Sequence, residues 1–214
     1  MVIERNIKQF LSPTIMNRIN YGVDIDDVLL VLTPGIVEFH NDRYGTRIKP
    51  CEITSQNFTQ QFGTSLATLR TRLHLFYQTR QFENLPLVKG AYEGILRLRE
   101  SGIPHLITSR EDILRAITKS RIKREFPPDT FMTLNYAKNP FMEKDERPTK
   151  PEICRRLSIK IMIEDNLEHV LAISKVKGIE LVYLLDLDGE YGWNHTDEKL
   201  QENVQRVSSW DEIR

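Results

Sequence analysis

Apolar and polar positions along the chain alternate between short buried-type runs and longer stretches of helical spacing. Tyr21–Leu30, YGVDIDDVLL, is an apolar run interrupted by acids, as expected for a buried strand with carboxylates at its exit. Ile103–Ile107, TFMTLNY, Ile161–Ile163 and Ile179–Leu185 are further strand candidates, and VQRV near the end is a last short one. Between them lie helical patterns. Ala91, Ile95, Leu96 and Leu98 make one, stopped at Ser101-Gly102, and EDILRAITKSRIKREF makes another, ended by Pro127-Pro128. Thr149 with Glu152 three residues on predicts a capping box and a helix to about Leu157. Asn166–Lys177 is the next helix, Ser209 with Glu212 predicts a helix start at the tail, and a short helix is expected before Ser12-Pro13. Strand–helix–strand repetition of this kind predicts a parallel sheet covered on both faces.

One segment breaks the rhythm. Thr33-Pro34-Gly35 marks a boundary, and from Ile36 to about Phe82 the pattern is helical without a convincing strand. Leu66, Leu69, Leu73 and Phe76-Tyr77 form one apolar stripe on a basic helix. Residues 34–87 therefore read as an inserted helical unit, and residues 1–33 with 88–214 as the α/β core.

Composition narrows the function classes. The 214 residues carry 30 basic and 30 acidic side chains, so no global field favours nucleic acid polymers or anionic membranes. No apolar run approaches the roughly 20 residues of a membrane span. Cys51 and Cys154 make no disulfide framework, and the N-terminus lacks a secretory pattern, so a cytoplasmic protein is expected. The histidines show no zinc-ligand spacing, and His105 reads as a core residue. Asp186-Leu187-Asp188-Gly189 imitates an acidic motif, but too little chain follows it to complete a site. Trp193-Asn194 are expected near the entrance of the site.

The candidate chemistry collects at strand ends: Asp24 and Asp26, then Thr108 and Ser109, then Glu164 and Asp165, with Lys150 in the first turn of the helix before the last pair. Residues two apart on a strand share a face, so Asp24 and Asp26 are expected to aim at one spot with Asp27 turned away. Ligands of open parallel sheets bind beyond the carboxyl ends of the strands, where these residues fall. The set suits phosphoryl transfer. Asp24 is a candidate nucleophile, Asp26 a candidate general acid and base, and Thr108 and Lys150 candidate holders of phosphoryl oxygens. Mg²⁺ prefers oxygen ligands, which Asp24, Asp26 and Asp165 could supply.

DIDDVL resembles the first motif, DxDx(V/T)(L/V), of the haloacid dehalogenase (HAD) superfamily. LITSR resembles the second motif, Lys150 the third and IMIEDN the acidic fourth. The resemblance implies a three-layer Rossmann-like core with a small C1-type helical cap at 34–87. It implies Mg²⁺ held by the Asp24 side chain, the Asp26 backbone carbonyl and Asp165, with Glu164 behind them, and phosphate bound by Thr108, Ser109 and Lys150. Within the superfamily, NDRYGTRI, LPLVKGAYEGILRLRESG, the TSR variant and RVSSWDEI resemble the 5'(3')-deoxyribonucleotidase-like group. That implies a phosphomonoester hydrolase using an aspartyl-phosphate, with a nucleoside 5'-monophosphate or similar small metabolite as substrate. Phe82 and Arg110 are the candidate substrate contacts. A phosphomutase or phosphotransferase shares the same first half-reaction, and a binding protein of this fold is a further alternative. A receiver domain is disfavoured by the insertion. A homodimer is left open.

Overall fold

A computed structural model describes residues 18–214 other than 56, 57, 140, 141, 143, 190 and 198. The short helix expected before Ser12-Pro13 lies outside the described residues. Strand β1 (Ile19–Val23) leads into an acidic turn and helix α1 (Leu32–Tyr44), followed by α2 (Leu66–Tyr77) and the single turn α3 (Arg80–Glu83). The chain then alternates: α4 (Ala91–Ser101), β2 (Gly102–Thr108), α5 (Arg115–Glu125), β3 (Thr133–Tyr136), α6 (Lys150–Arg156) and β4 (Ile161–Glu164). Helix α7 (Leu167–Ile173), β5 (Leu181–Leu185) and β6 (Val204–Val207) complete it.

All six strands are parallel, in the order β3-β2-β1-β4-β5-β6. The period-two alternation of strand side chains divides the core between the two faces of the sheet. Leu106, Ile163, Tyr183 and Leu185 face one way and pack with Ala91, Ile95 and Leu98 of α4 and with Trp210. Their neighbours Ile107, Met162, Val182 and Leu184 face the other way and pack with Ile153 and Cys154 of α6 and Val170 and Ile173 of α7. Three layers result, an α/β Rossmann-like fold. A third apolar cluster, including Ile36, Ile53, Phe58, Leu69, Phe76 and Phe82, is drawn almost wholly from the segment between β1 and α4, with Leu114 added.

Three local expectations are corrected. Thr33-Pro34-Gly35 does not interrupt the chain but lies in the first turn of α1, where proline's missing donor costs nothing. Helix α7 stops at Ile173 instead of Lys177, with Ser174 as its C-cap. At the tail, Ser209 makes no side-chain cap to the 3₁₀ turn Trp210–Glu212. The Glu212 carboxylate instead accepts from the backbone N–H and hydroxyl of Ser208.

Candidate active site

Strand β1 lies between β2 and β4, so the direction of winding reverses there and a crevice opens at its carboxyl end. Val23 is in register with Leu106 and Ile163, which brings the residues after all three strands to one level. Asp24 is fixed there by its backbone N–H, which donates to the Ile163 carbonyl at 3.0 Å. Thr108, fully buried, ends β2, and its Oγ1 accepts from the Arg110 N–H at 3.2 Å. Lys150 enters from the side. The capping box of Thr149 and Glu152 sets the start of α6, and Lys150 is its first residue. Its Nζ lies 2.9 Å from Asp24 Oδ2 and 2.7 Å from Glu164 Oε2. On the other side of Glu164, Oε1 meets His169 Nδ1 at 3.2 Å.

The carboxylates of Asp24, Glu164 and Asp165 gather so that one oxygen from each lies within 4.8 Å of the others. Asp24 Oδ1 is buried and has no hydrogen-bond partner among the described residues. Burial, outweighing the Lys150 ammonium, pushes the Asp24 carboxyl up to about 8. Asp165 is raised well above the usual carboxylate range by burial and by the charges of Glu164, Asp27 and Asp24. Burial would raise Glu164 as well, but Lys150 and His169 hold it down to about 2. Burial works to lower Lys150, and Asp24 and Glu164 keep it above its ordinary value. Positive charge placed beside Asp24 and Asp165 would favour their ionised forms. A divalent cation with oxygen preference fits the orphaned Asp24 Oδ1 and the donors beside it.

Asp26 lines the same cavity as Asp24, though strand alternation does not bring it there. β1 ends at Val23, so Asp24 and Asp26 do not share a strand face. The Asp26 carboxylate turns to Arg110, whose Nη2 lies 2.6 Å and Nε 3.0 Å away. Arg110 also donates to Thr118 Oγ1 at 3.0 Å, and its guanidinium lies 5.3 Å from the centroid of the Phe82 ring. Asp27 also borders the cavity, but its carboxylate serves the start of a helix. It takes a left-handed backbone (φ 55°), and its carboxylate accepts from the N–H groups of Leu32 and Thr33 at 2.9 and 3.0 Å. Those are orphan donors at the start of α1, so Asp27 caps the helix from five residues upstream.

A cavity covers the cluster. Asp24, Lys150, Asp165, Ser109 and Arg110 lie at its base, while Leu66, Leu69, Leu73, Tyr77 and Phe82 from α2 and α3 contribute apolar wall. Ser109 Oγ is buried there without a partner among the described residues. Of the residues expected at the site, Asp24, Asp26, Ser109, Lys150, Glu164, Asp165, Arg110 and Phe82 therefore line one cavity, whereas Thr108, fully buried at the end of β2, is not among its lining residues.

Sequence reading missed several supports. Trp193 and Asn194 are not among the residues lining the cavity; both side chains donate to the Asp165 carbonyl, and Asn194 Oδ1 accepts from the Leu167 N–H. The imitation motif is structural too, since buried Asp186 pairs with Arg206 and accepts from the Tyr191 N–H. His105 is buried in β2 and bonded to Thr133 Oγ1. Among the described residues, no helix is long and apolar enough to cross a membrane.

No family model matches the sequence, and no curated protein is significantly similar to it. Solved structures do match. The HAD-like family protein SP0104 from Streptococcus pneumoniae aligns with a TM-score of 0.58 at 13% identity, covering 79% of this chain and 85% of its own. A predicted phosphoglycolate phosphatase from Haemophilus somnus gives 0.54 at 13% identity, covering 83% and 88%. The HAD-type protein YfnB from Bacillus subtilis, in a magnesium-bound form, gives 0.57 at 12% identity, covering 92% and 96%. At these identities the likeness concerns the fold, and the chain has the fold of the haloacid dehalogenase-like hydrolases.

Proposed function

We propose that the protein is a Mg²⁺-dependent phosphomonoester hydrolase acting through an aspartyl-phosphate. The observation that carries this reading is Asp24 Oδ1. It is a buried, unpartnered carboxylate oxygen at the carboxyl end of the central strand, with a lysine 2.9 Å from its sister oxygen. The Asp24 and Asp165 side chains and the Asp26 backbone carbonyl would hold the cation, with Glu164 supporting them through Lys150. When bound, Mg²⁺ supplies positive charge that stabilises the phosphoryl oxygens.

This chain's own groups then divide the work. An Asp24 oxygen attacks phosphorus as the bond from phosphorus to the leaving oxygen breaks, and Asp26 delivers a proton to that oxygen. In the second step water attacks the phosphorus. Asp26 takes the water's proton, and the bond to Asp24 breaks to release orthophosphate. Lys150, Ser109 Oγ and Thr108 steady the transferring oxygens, where stabilising charge is most of the catalysis. Residues 34–87, with their own apolar cluster, act as a C1-type cap over the base. The substrate is a small phosphorylated metabolite. A nucleoside 5'-monophosphate is the first candidate, supported by the Tyr77 and Phe82 rings in the wall.

Hydrolysis of p-nitrophenyl phosphate with Mg²⁺ tests the reading. Asp24→Asn is expected to abolish turnover while leaving the circular dichroism spectrum unchanged, and a wild-type rate in that variant would overturn the assignment. Stoichiometric orthophosphate release distinguishes hydrolysis from transfer to a second substrate. A screen of nucleoside monophosphates against sugar phosphates tests the leaving group.

A further inference from the structure

Helix α2 turns one face toward the cavity: Leu66, Leu69, Arg70, Leu73 and Tyr77 all line it. Their spacing is that of a single helical stripe, and Arg70 is the cation in an otherwise apolar and aromatic run. Its Nη2 is buried and, among the described residues, has no hydrogen-bond partner. Other charged groups nearby are already engaged. Arg72, on the same helix, contacts His40 Nε2 at 2.7 Å and lies over the Tyr44 ring, and Glu111 on the cavity wall meets His74 at 3.0 Å. A buried donor left without an acceptor costs free energy. An oxygen acceptor brought in by a ligand removes that cost.

We propose that Arg70 is a specificity residue that receives an oxygen acceptor on the part of the substrate remote from its phosphate. The substrate class is then a phosphomonoester whose short apolar or planar body, lying against Leu69, Leu73 and Tyr77, ends in a carboxylate or a carbonyl. This inference rests on the phosphatase reading above and deepens it.

The experiment compares matched aryl phosphates: phenyl phosphate, which lacks a distal acceptor, with 3- and 4-carboxyphenyl phosphate and 4-carbamoylphenyl phosphate. The readout is the ratio of kcat/KM for each acceptor-bearing probe to that for phenyl phosphate, in the wild type and in Arg70→Met. Any loss of folded enzyme cancels within a ratio measured on one preparation. The wild-type ratio is expected to exceed that of Arg70→Met by on the order of tenfold to a hundredfold, as for a hydrogen bond to a charged group. Arg70→Lys should fall between them. A change confined to the carboxyphenyl probes identifies an anionic group, and one shared with the carbamoyl probe identifies a carbonyl. Equal ratios in wild type and Arg70→Met would overturn the inference alone. Absence of hydrolysis of every probe by the wild type would overturn the phosphatase reading and this inference with it.

Discussion

Arg110 holds Asp26 by one edge of its guanidinium, with Nη2 2.6 Å from Oδ1 and Nε 3.0 Å from Oδ2. The Arg110 side chain is 4% exposed, so the pair is buried from one side and fixed by Thr118 and Phe82 on the others. Asp26 is the proposed proton carrier, and this grip sets where its carboxylate can reach. Arg110→Lys keeps the charge but loses the planar fork, so it is expected to lower kcat at least about tenfold with a smaller change in KM. Steady-state kinetics on p-nitrophenyl phosphate reads the split. A lysine variant with full kcat would mean that charge alone suffices.

Asp27 is expected to matter for stability more than for chemistry. Its carboxylate serves the orphan N–H groups of α1, and its backbone sits at φ 55°, which Asn tolerates and Ala does not. Asp27→Ala should cost about 1–2 kcal/mol and Asp27→Asn distinctly less. Urea unfolding checks the order. Equal losses would show that the cap contributes nothing.

Metal and pH should act on stability together. In the metal-free protein Asp24 is pushed from 3.8 up to about 8 by burial, and Asp165 is raised as well. The folded state then holds protons that the unfolded chain releases. This contribution is fully present below about pH 4 and is lost as pH rises toward about 8. Mg²⁺ favours the ionised acids, so the upward shift of the thermal midpoint on adding Mg²⁺ should be larger at about pH 8 than at about pH 6. Scanning calorimetry with EDTA or Mg²⁺ measures both. A Mg²⁺ shift independent of pH would contradict the cluster as described.

Gly94 gives a test of the core beneath the site. A Cβ there would overlap the indole of Trp210, whose Nε1 donates to the Val28 carbonyl at 2.9 Å, just after the acidic turn. Gly94→Ala is expected to destabilise by about 1–3 kcal/mol, because the fully buried ring has no room to retreat. Denaturant titration followed by tryptophan fluorescence would show it, and an unchanged midpoint would mean the indole moves freely.

Strands and most helices were legible because each depends on its own local pattern. The apolar runs Ile103–Ile107 and Ile179–Leu185 read as buried strands and fall within or over Gly102–Thr108 and Leu181–Leu185, and Thr149 with Glu152 starts α6 through contacts three residues apart. The Thr33-Pro34 boundary misled for the same reason. It resembles a break until Asp27, outside the local window, supplies the cap. Asp26 reaches the cavity of Asp24 through the turn after Val23 and not by strand alternation, because the strand stops there. Arg70 belongs to a stripe that was read as apolar, since its lack of a partner has no counterpart in the letters.

What the sequence by itself determined is the order of elements and the placing of Asp24, Thr108, Lys150, Glu164 and Asp165 at strand ends or a helix start, since periodicity and capping are short-range. Only the tertiary structure decided which charge faces which. Arg110 meets Asp26 across 84 positions, and Lys150 settles between Asp24 and Glu164. Such pairings depend on distance, burial and local dielectric, none of which a linear spacing encodes.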